Sequence, residues 1–231
     1  MVHNVKLGKN MRSVSIVGVG ATPFFNGVTN PQYKGLTNGE LFGYAALDAM
    51  KDAHVEPRDV QYFFHGSANP HVLNGCITPN LQVADWFGMR GKGSISHSEG
   101  CCTGYIALEE AVFAVASGAY DIVLSGCSEQ GTGMPDGNTP DHMRTALTTE
   151  VLFPDLDSIF DRAYGRYLGG GPGMNHDDWI NFYAKENHLS AEQIDDVLNH
   201  QAYHFRRAAE LCPRAIRRTP YDKLAKDAGY D

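Results

Sequence analysis

The chain has 231 residues, 42% of them hydrophobic and 20% charged, with a net charge of -8 at pH 7. That length suits one large domain or two small ones, and the acidic balance argues against a nucleic-acid surface, which carries a basic face. No apolar run approaches the ~20 residues that span a bilayer, so no membrane partner is expected. The five cysteines are irregularly spaced and include no CxxC pair, which argues against a disulfide framework and against a structural zinc site.

The first predicted element is a strand over Ser13 to Gly20, "SVSIVGVG", rich in Val and Ile. The basic N-terminus before it has its apolar stretch broken by Ser and Gly, which speaks against a signal peptide. Reduced thiols in a cytoplasmic protein are the expectation. A Pro-, Gly- and Asn-punctuated loop follows. Thr37 or Asn38 then caps a helix to about His54, apolar at Leu41, Ala45, Leu47 and Met50. Val60 to Phe64 predicts a second strand that ends in the loop "HGSANPHVLNG". A second helix is expected near Pro79 to Phe87, stopped by Gly88. Ile95 marks a short third strand. A third helix, about Thr103 to Ser117, is apolar on almost every side (Tyr105, Ile106, Leu108, Val112, Phe113, Val115) and is expected at the centre of the fold. Gly118 ends it, and "YDIVLSGCSE" reads as a fourth strand buried on both faces.

Strands alternating with helices predict a parallel sheet with right-handed crossovers. From about Gly131 to Asn175 the chain is rich in Pro and Gly, too long for a simple connector, and reads as an inserted loop region. The segment from residue 176 to the end predicts two helices, "DDWINFYAKENHL" and "SAEQIDDVLNHQAYHFRRAAEL". Ser190 and Gln193 form a capping box at the start of the second, and a closing loop, "TPYDKLAKDAGYD", follows. The expected divisions are therefore residues 1–130, 131–175 and 176–231.

Cys101 and Cys102 stand side by side where the third helix begins. Unpaired N–H groups and the helix dipole at such an end favour thiolate over thiol. Gly100 and Gly104 leave room for an acyl group and close backbone approach. A packed thiol explains the same residues, since cysteine is a small hydrophobe. Both readings stand on the residues alone.

The segment "EGCCTGYIALEEAVFAVASGAYDIVLSGCSE" resembles the nucleophile segment of the thiolase superfamily. There a cysteine, a small residue, Ser or Thr and then Gly open a buried helix, and a "G-x-x-D-x-x-L-x-G-G-x-E" strand follows. Cys101, Cys102, Thr103 and Gly104 match the first pattern. Gly118, Asp121, Leu124, Gly126 and Glu129 match the second, with Cys127 where a Gly is usual. "SIVGVGATPF" and "HFRRAAELCPRAIRRTP" resemble the sterol-carrier-thiolase-like branch, although Leu211–Cys212–Pro213 replaces its usual Asn–Pro context.

The resemblance implies an α/β fold, the N-terminal half of the duplicated βαβαβαββ five-layer thiolase architecture with an inserted loop region. It implies Cys101 as the acyl-accepting nucleophile. Adjacent helical residues point about 100° apart, so Cys102 is then expected in the core. Coenzyme A thioester is implied as co-substrate rather than resident cofactor, and no metal. In the family the histidine and second acid/base group lie in the C-terminal half, and the chain ends before such a half, so the base is expected outside it. A homo-oligomer is implied through the strand before the cysteine, as is a C-terminal-half chain or a small OB-fold partner. Thiolase-like aldolase subunits, non-catalytic scaffolds and small-molecule carriers are the alternatives. His97, four residues before Cys101, is the local substitute for the base; a strand-end or interface histidine is the plainer reading. His65, His71 and Cys76 lack a recognised metal-ligand spacing. "GGGPG", Gly169 to Gly173, lacks the Lys-Ser/Thr ending of a phosphate loop.

Overall fold

Phe63 and Phe64 are neighbours in sequence, so on a strand they point to opposite faces of a sheet. Both are buried, and each anchors its own half of the core. The computed structural model describes residues 10–24, 36–68, 78–129 and 172–229, without the side chains of Cys101 and of residues 172–175. They belong to two compact units, one formed by Met1–Thr22 and Asn26–Leu152, the other by Pro23–Phe25 and Phe153–Asp231.

In the first unit three parallel strands, β1 (Tyr62–Gly66), β2 (Gly93–His97) and β3 (Val123–Cys127), lie in the order β2-β1-β3. Tyr62 pairs with Gly93 and Val123, and Gly66 with His97 and Cys127, so the three strands end in step. Helices α1 (Asn38–Asp52) and α2 (Pro79–Ala84) pack on the face of Phe63 through Phe42, Ala46, Met50, Val83 and Ala84. Helix α3 (Thr103–Ala116) packs on the face of Phe64 through Ala107 and Ala111. Parallel strands need such crossovers, and the crossovers cover both faces. The α/β class and parallel sheet expected from the sequence are what the structure has.

Local chemistry sets the helix ends. Thr37 caps α1: Glu40 N–H donates to Thr37 Oγ1 at 3.2 Å, and Thr37 N–H donates to the Glu40 carboxylate at 2.6 Å. Gly118, at φ +84°, ends α3 as expected, because that backbone region favours glycine. Arg12 locks the same end. Its guanidinium donates to Val115 O at 3.1 Å, Tyr120 O at 2.6 Å and Asp121 Oδ1 at 2.6 Å.

Several expectations are corrected. Ser13–Gly20 takes no strand partner among the described residues. It is held instead by Arg12 and by Val19 N–H donating to Asp52 Oδ2 at 2.9 Å. Gly18 and Gly20 press on the backbone of α1, where a Cβ would collide with Ala49 and Ala45. Ile16, Val17 and Val19 remain exposed. The buried stripe of α1 is Leu41, Phe42, Ala46 and Met50, while Leu47 is exposed. In α3 Ala107 and Ala111 pack on the sheet and Thr103 and Ala116 are buried, while Tyr105, Leu108 and Phe113 are exposed. Strand β3 is half-buried rather than enclosed on both faces. Strand β1 continues through His65 and Gly66, which the sequence placed in a loop.

The second unit is helical, with α4 (Pro172–Glu186), α5 (Ala191–Leu211) and α6 (Tyr221–Asp227). Ser190 and Gln193 cap α5 reciprocally, as expected: Gln193 N–H donates to Ser190 Oγ at 3.2 Å and Ser190 N–H to Gln193 Oε1 at 2.9 Å. Cys212 ends α5 in an extended conformation (φ -90°, ψ 112°), the geometry that a following proline imposes. Helix α6 stands where a closing loop was expected. Tyr221 holds it to α5, stacking on Tyr203 at 6.5 Å and lying under Arg206 at 4.9 Å. Helix α4 begins at Pro172, inside the expected loop region; residues 131–171 of that region lie outside the described residues.

Candidate active site

Gly100–Cys102 forms a single 3-10 turn that leads into α3 at the carboxyl end of the sheet. Gly100 has φ +55°, which a side chain rarely tolerates, so the glycine is required by the turn. Thr103 fastens it: Oγ1 accepts from Glu99 N–H at 2.8 Å and donates to Gly100 O at 2.7 Å. Cys102 N–H donates to Glu99 O at 3.2 Å. The backbone of Cys101 lies in the middle of this turn. That is where the orphan N–H groups of a helix point and where the helix dipole favours an anion.

Glycines let the turn sit close on the strands. A Cβ at Gly66 would fall 2.6 Å from Thr103 Cγ2 and 3.2 Å from Cys127 Cβ. A Cβ at Gly104 would fall 2.9 Å from Cys127 Sγ, so the Cys127 thiol fills the space that Gly104 leaves. Although Cys127 is exposed, partial desolvation of its thiol and the nearby Glu129 charge push its pKa up, which disfavours the thiolate. Cys102, expected in the core, is exposed. Thr103 takes the inward position one residue later, because the tight turn precedes the regular helix and shifts which side chain meets the sheet.

Two histidines lie at the carboxyl ends of the strands, on opposite faces. His65 of β1 is fully buried on the α1 side, edge-on to the Phe42 ring at 4.7 Å. Its Nε2 is 3.0 Å from Ser128 Oγ, and its Nδ1 has no partner among the described residues. Burial lowers its pKa to about 4, so it is neutral at pH 7. His97, at the end of β2, stacks on Phe64 at 6.4 Å and so lies on the α3 side. Its Nε2 is buried without a partner among the described residues. The structure thus places His97 on the same side of the sheet as the Cys101 turn, and His65 on the other.

A third group had no role in the sequence reading. Glu129, just past β3, accepts from Ala68 N–H at 2.6 Å and from the Ser67 hydroxyl at 3.4 Å. Burial raises its pKa, and the hydrogen bonds from Ala68 and Ser67 pull it back. Its signal was present as the closing Glu of the second pattern, although no pattern tells what a carboxylate holds. His71 and Cys76, weighed with His65 as a metal site, lie outside the described residues, as do Gly169 to Gly171. Among the described residues no three His, Cys, Asp or Glu side chains converge on one point that would hold a metal.

Comparison with known proteins bears on this geometry. No protein-family profile matches the chain. It is similar to the acetyl-CoA acetyltransferase of Methanocaldococcus jannaschii, 27% identical over 159 residues, covering 68% of this chain and 39% of that protein. The acetyl-CoA acetyltransferase of Methanothermobacter thermautotrophicus is 28% identical over 160 residues, covering 67% and 40%. The chain thus spans about two fifths of the length of these curated relatives. Among solved structures, the 3-oxoacyl-[acyl-carrier-protein] synthase III of Aquifex aeolicus aligns with TM-score 0.39 and 17% identity, over 46% of this chain and 41% of its own. The priming β-ketosynthase of the R1128 polyketide pathway aligns with TM-score 0.41 and 18% identity, over 53% and 43%. The two acetyltransferase matches support, over part of the chain, the thiolase-superfamily resemblance carried by the Cys101–Gly104 and Gly118–Glu129 patterns.

Proposed function

We propose that the chain carries the acyl-accepting part of a thiolase-type acyltransferase acting on coenzyme A thioesters. Cys101 thiolate would attack the thioester or β-keto carbonyl, forming a carbon–sulfur bond. Collapse of that adduct expels coenzyme A thiolate in condensation, or the enolate of a shorter acyl-CoA in thiolysis. The observation that carries this reading is the turn itself: Cys101 lies in a glycine-opened, Thr103-fastened turn at the start of a 14-residue helix, at the carboxyl end of a parallel sheet. Ligands of open α/β sheets bind at that end.

Coenzyme A is a co-substrate in this scheme, and no metal or resident cofactor enters it. The proton-transfer groups would come from a C-terminal-half segment or chain, and the working form would be a homo-oligomer in the cytoplasm. One observation favours a second reading, in which His97 is the base: its unpartnered Nε2 lies on the side of the sheet that α3 covers. Thiolysis of acetoacetyl-CoA and longer β-ketoacyl-CoA by the 231-residue chain alone separates the two. The first reading expects no more than a single turnover, since loss of a general base costs about 10²–10⁴ in rate. Multiple turnovers at ordinary rates would place the base within the chain, and His97→Ala would then abolish them. An unreactive Cys101 would instead leave a scaffold, a carrier, or a subunit acting with an OB-fold partner.

A further inference from the structure

Glu129 sits just past the end of β3, yet its hydrogen bonds reach the residues that follow the central strand β1. Its carboxylate accepts from Ala68 N–H and the Ser67 hydroxyl, just past β1. Ala68 in turn accepts, on its carbonyl, the Ser98 hydroxyl at 2.8 Å. Ser98 precedes Glu99, whose N–H and carbonyl bond Thr103 Oγ1 and Cys102 N–H. A continuous line of hydrogen bonds and peptide units therefore runs from Glu129 through Ala68 and Ser98 to the turn that holds Cys101. The same three strand ends are joined at backbone level by Ser67 N–H to His97 O at 3.1 Å and Ser128 N–H to Gly66 O at 3.0 Å.

We propose that Glu129 is a positioning residue for the Cys101 turn, acting through Ala68 and Ser98 rather than by contact with substrate. The proposal gains its functional meaning from the acyl-transfer reading above. A carboxylate receiving a backbone N–H makes one of the stronger hydrogen bonds available to a protein. The bond to Ala68 is open to solvent and the one to Ser67 is half-buried, so the 2.6 Å geometry of the first, rather than exclusion of water, carries the contact. The residue type fits the task. Two acceptor oxygens on a side chain of this length take both Ala68 and Ser67, which fixes the loop in direction as well as position.

The test uses the full chain and its Glu129→Ala, Glu129→Gln and Ser98→Ala variants. Hydrogen exchange is followed at Ala68 and across residues 98–103, and the rate of Cys101 alkylation by iodoacetamide is measured at one fixed pH. Glu129→Ala is expected to speed exchange at Ala68 and at 98–103 by about ten-fold or more, the scale of losing one charge-assisted hydrogen bond. It should slow Cys101 alkylation about five-fold while the core of β1 stays protected. Gln keeps an acceptor for Ala68 N–H and can donate to Ser67, so Glu129→Gln should return both readings to within about two-fold of the parent. Ser98→Ala cuts the line further along. It should loosen 98–103 and leave Ala68 N–H protected, and it keeps the claim testable should Glu129→Ala not fold. Unchanged exchange at 98–103 and unchanged alkylation in Glu129→Ala or Ser98→Ala would overturn the proposal, as would a Gln variant no better than Ala. If Cys101 is inert in the parent chain, the acyl-transfer reading fails, while exchange at 98–103 still decides whether Glu129 holds the turn.

Discussion

His65 shows how much a single buried side chain says about pH. Its folded pKa is lowered to about 4 from 6.5, and burial is the cause. The unfolded chain therefore takes up a proton as pH falls through 6.5, and the folded chain does not. Stability is fully present above that value and falls between pH 6.5 and 4, by about 3 kcal/mol from this residue alone. Glu129, raised by burial, works in the opposite sense in the acid range. The difference between the parent and His65→Leu isolates the histidine: the variant should lose less stability in urea melts from pH 7 to pH 4. An equal loss in both would show that His65 titrates freely. At the same scale, Cys101 and Cys102 are expected to part company. The fast-alkylating thiol should vanish in Cys101→Ser and persist in Cys102→Ser, measured by the pH dependence of iodoacetamide labelling. Cys102 is exposed, so its accessibility does not by itself remove it from the contest.

The elements show which features could be read from the chain. Helix ends were legible, since Thr37 with Glu40, Ser190 with Gln193, and Gly118 act on their own neighbours. The strand expected at Ser13–Gly20 was not legible. A strand needs a partner, and none pairs with this segment among the described residues; Arg12 beside it is instead tied to the end of α3 some hundred residues away. Helix α3 misled for another reason. Its apolar residues surround it, but the sheet takes only the small ones at 103, 107 and 111, because α3 must lie close to the strands. The Cys101 turn was legible from local sequence, whereas Glu129's grip on Ala68 was not, being a contact across 61 residues. Close approach also gives a prediction. Gly104→Ala would gain up to ~1 kcal/mol in helix propensity, yet its Cβ would meet Cys127 Sγ at 2.9 Å. Overpacking of this kind costs ~1–3 kcal/mol, so a net loss is expected in urea melts. Adding Cys127→Ala should recover part of it, and strict additivity would show that the two sites do not touch.

At the level of the whole molecule, the outer surface of α3 is the feature that asks for a partner. Tyr105 is 79% exposed, with Leu108 and Phe113 on the same helix also open. Exposed apolar groups gathered in this way mark interaction surfaces or aggregation sites. Strand β2 adds an unpaired edge among the described residues, with Ile95 exposed on it, and such edges invite a second strand. We propose that two copies join along β2. Sedimentation at micromolar concentration should show a dimer that Ile95→Lys dissociates, and a monodisperse, active parent monomer would contradict it. The central claim, that Cys101 accepts the acyl group, has a more direct test. Brief incubation of the chain with acetyl-CoA, acid quench and peptide mass spectrometry should find one acyl group on Cys101, absent in Cys101→Ser and retained in Cys102→Ser. An acyl group carried by Cys102 or Cys127, or a chain left unmodified by every acyl-CoA offered, would contradict the account.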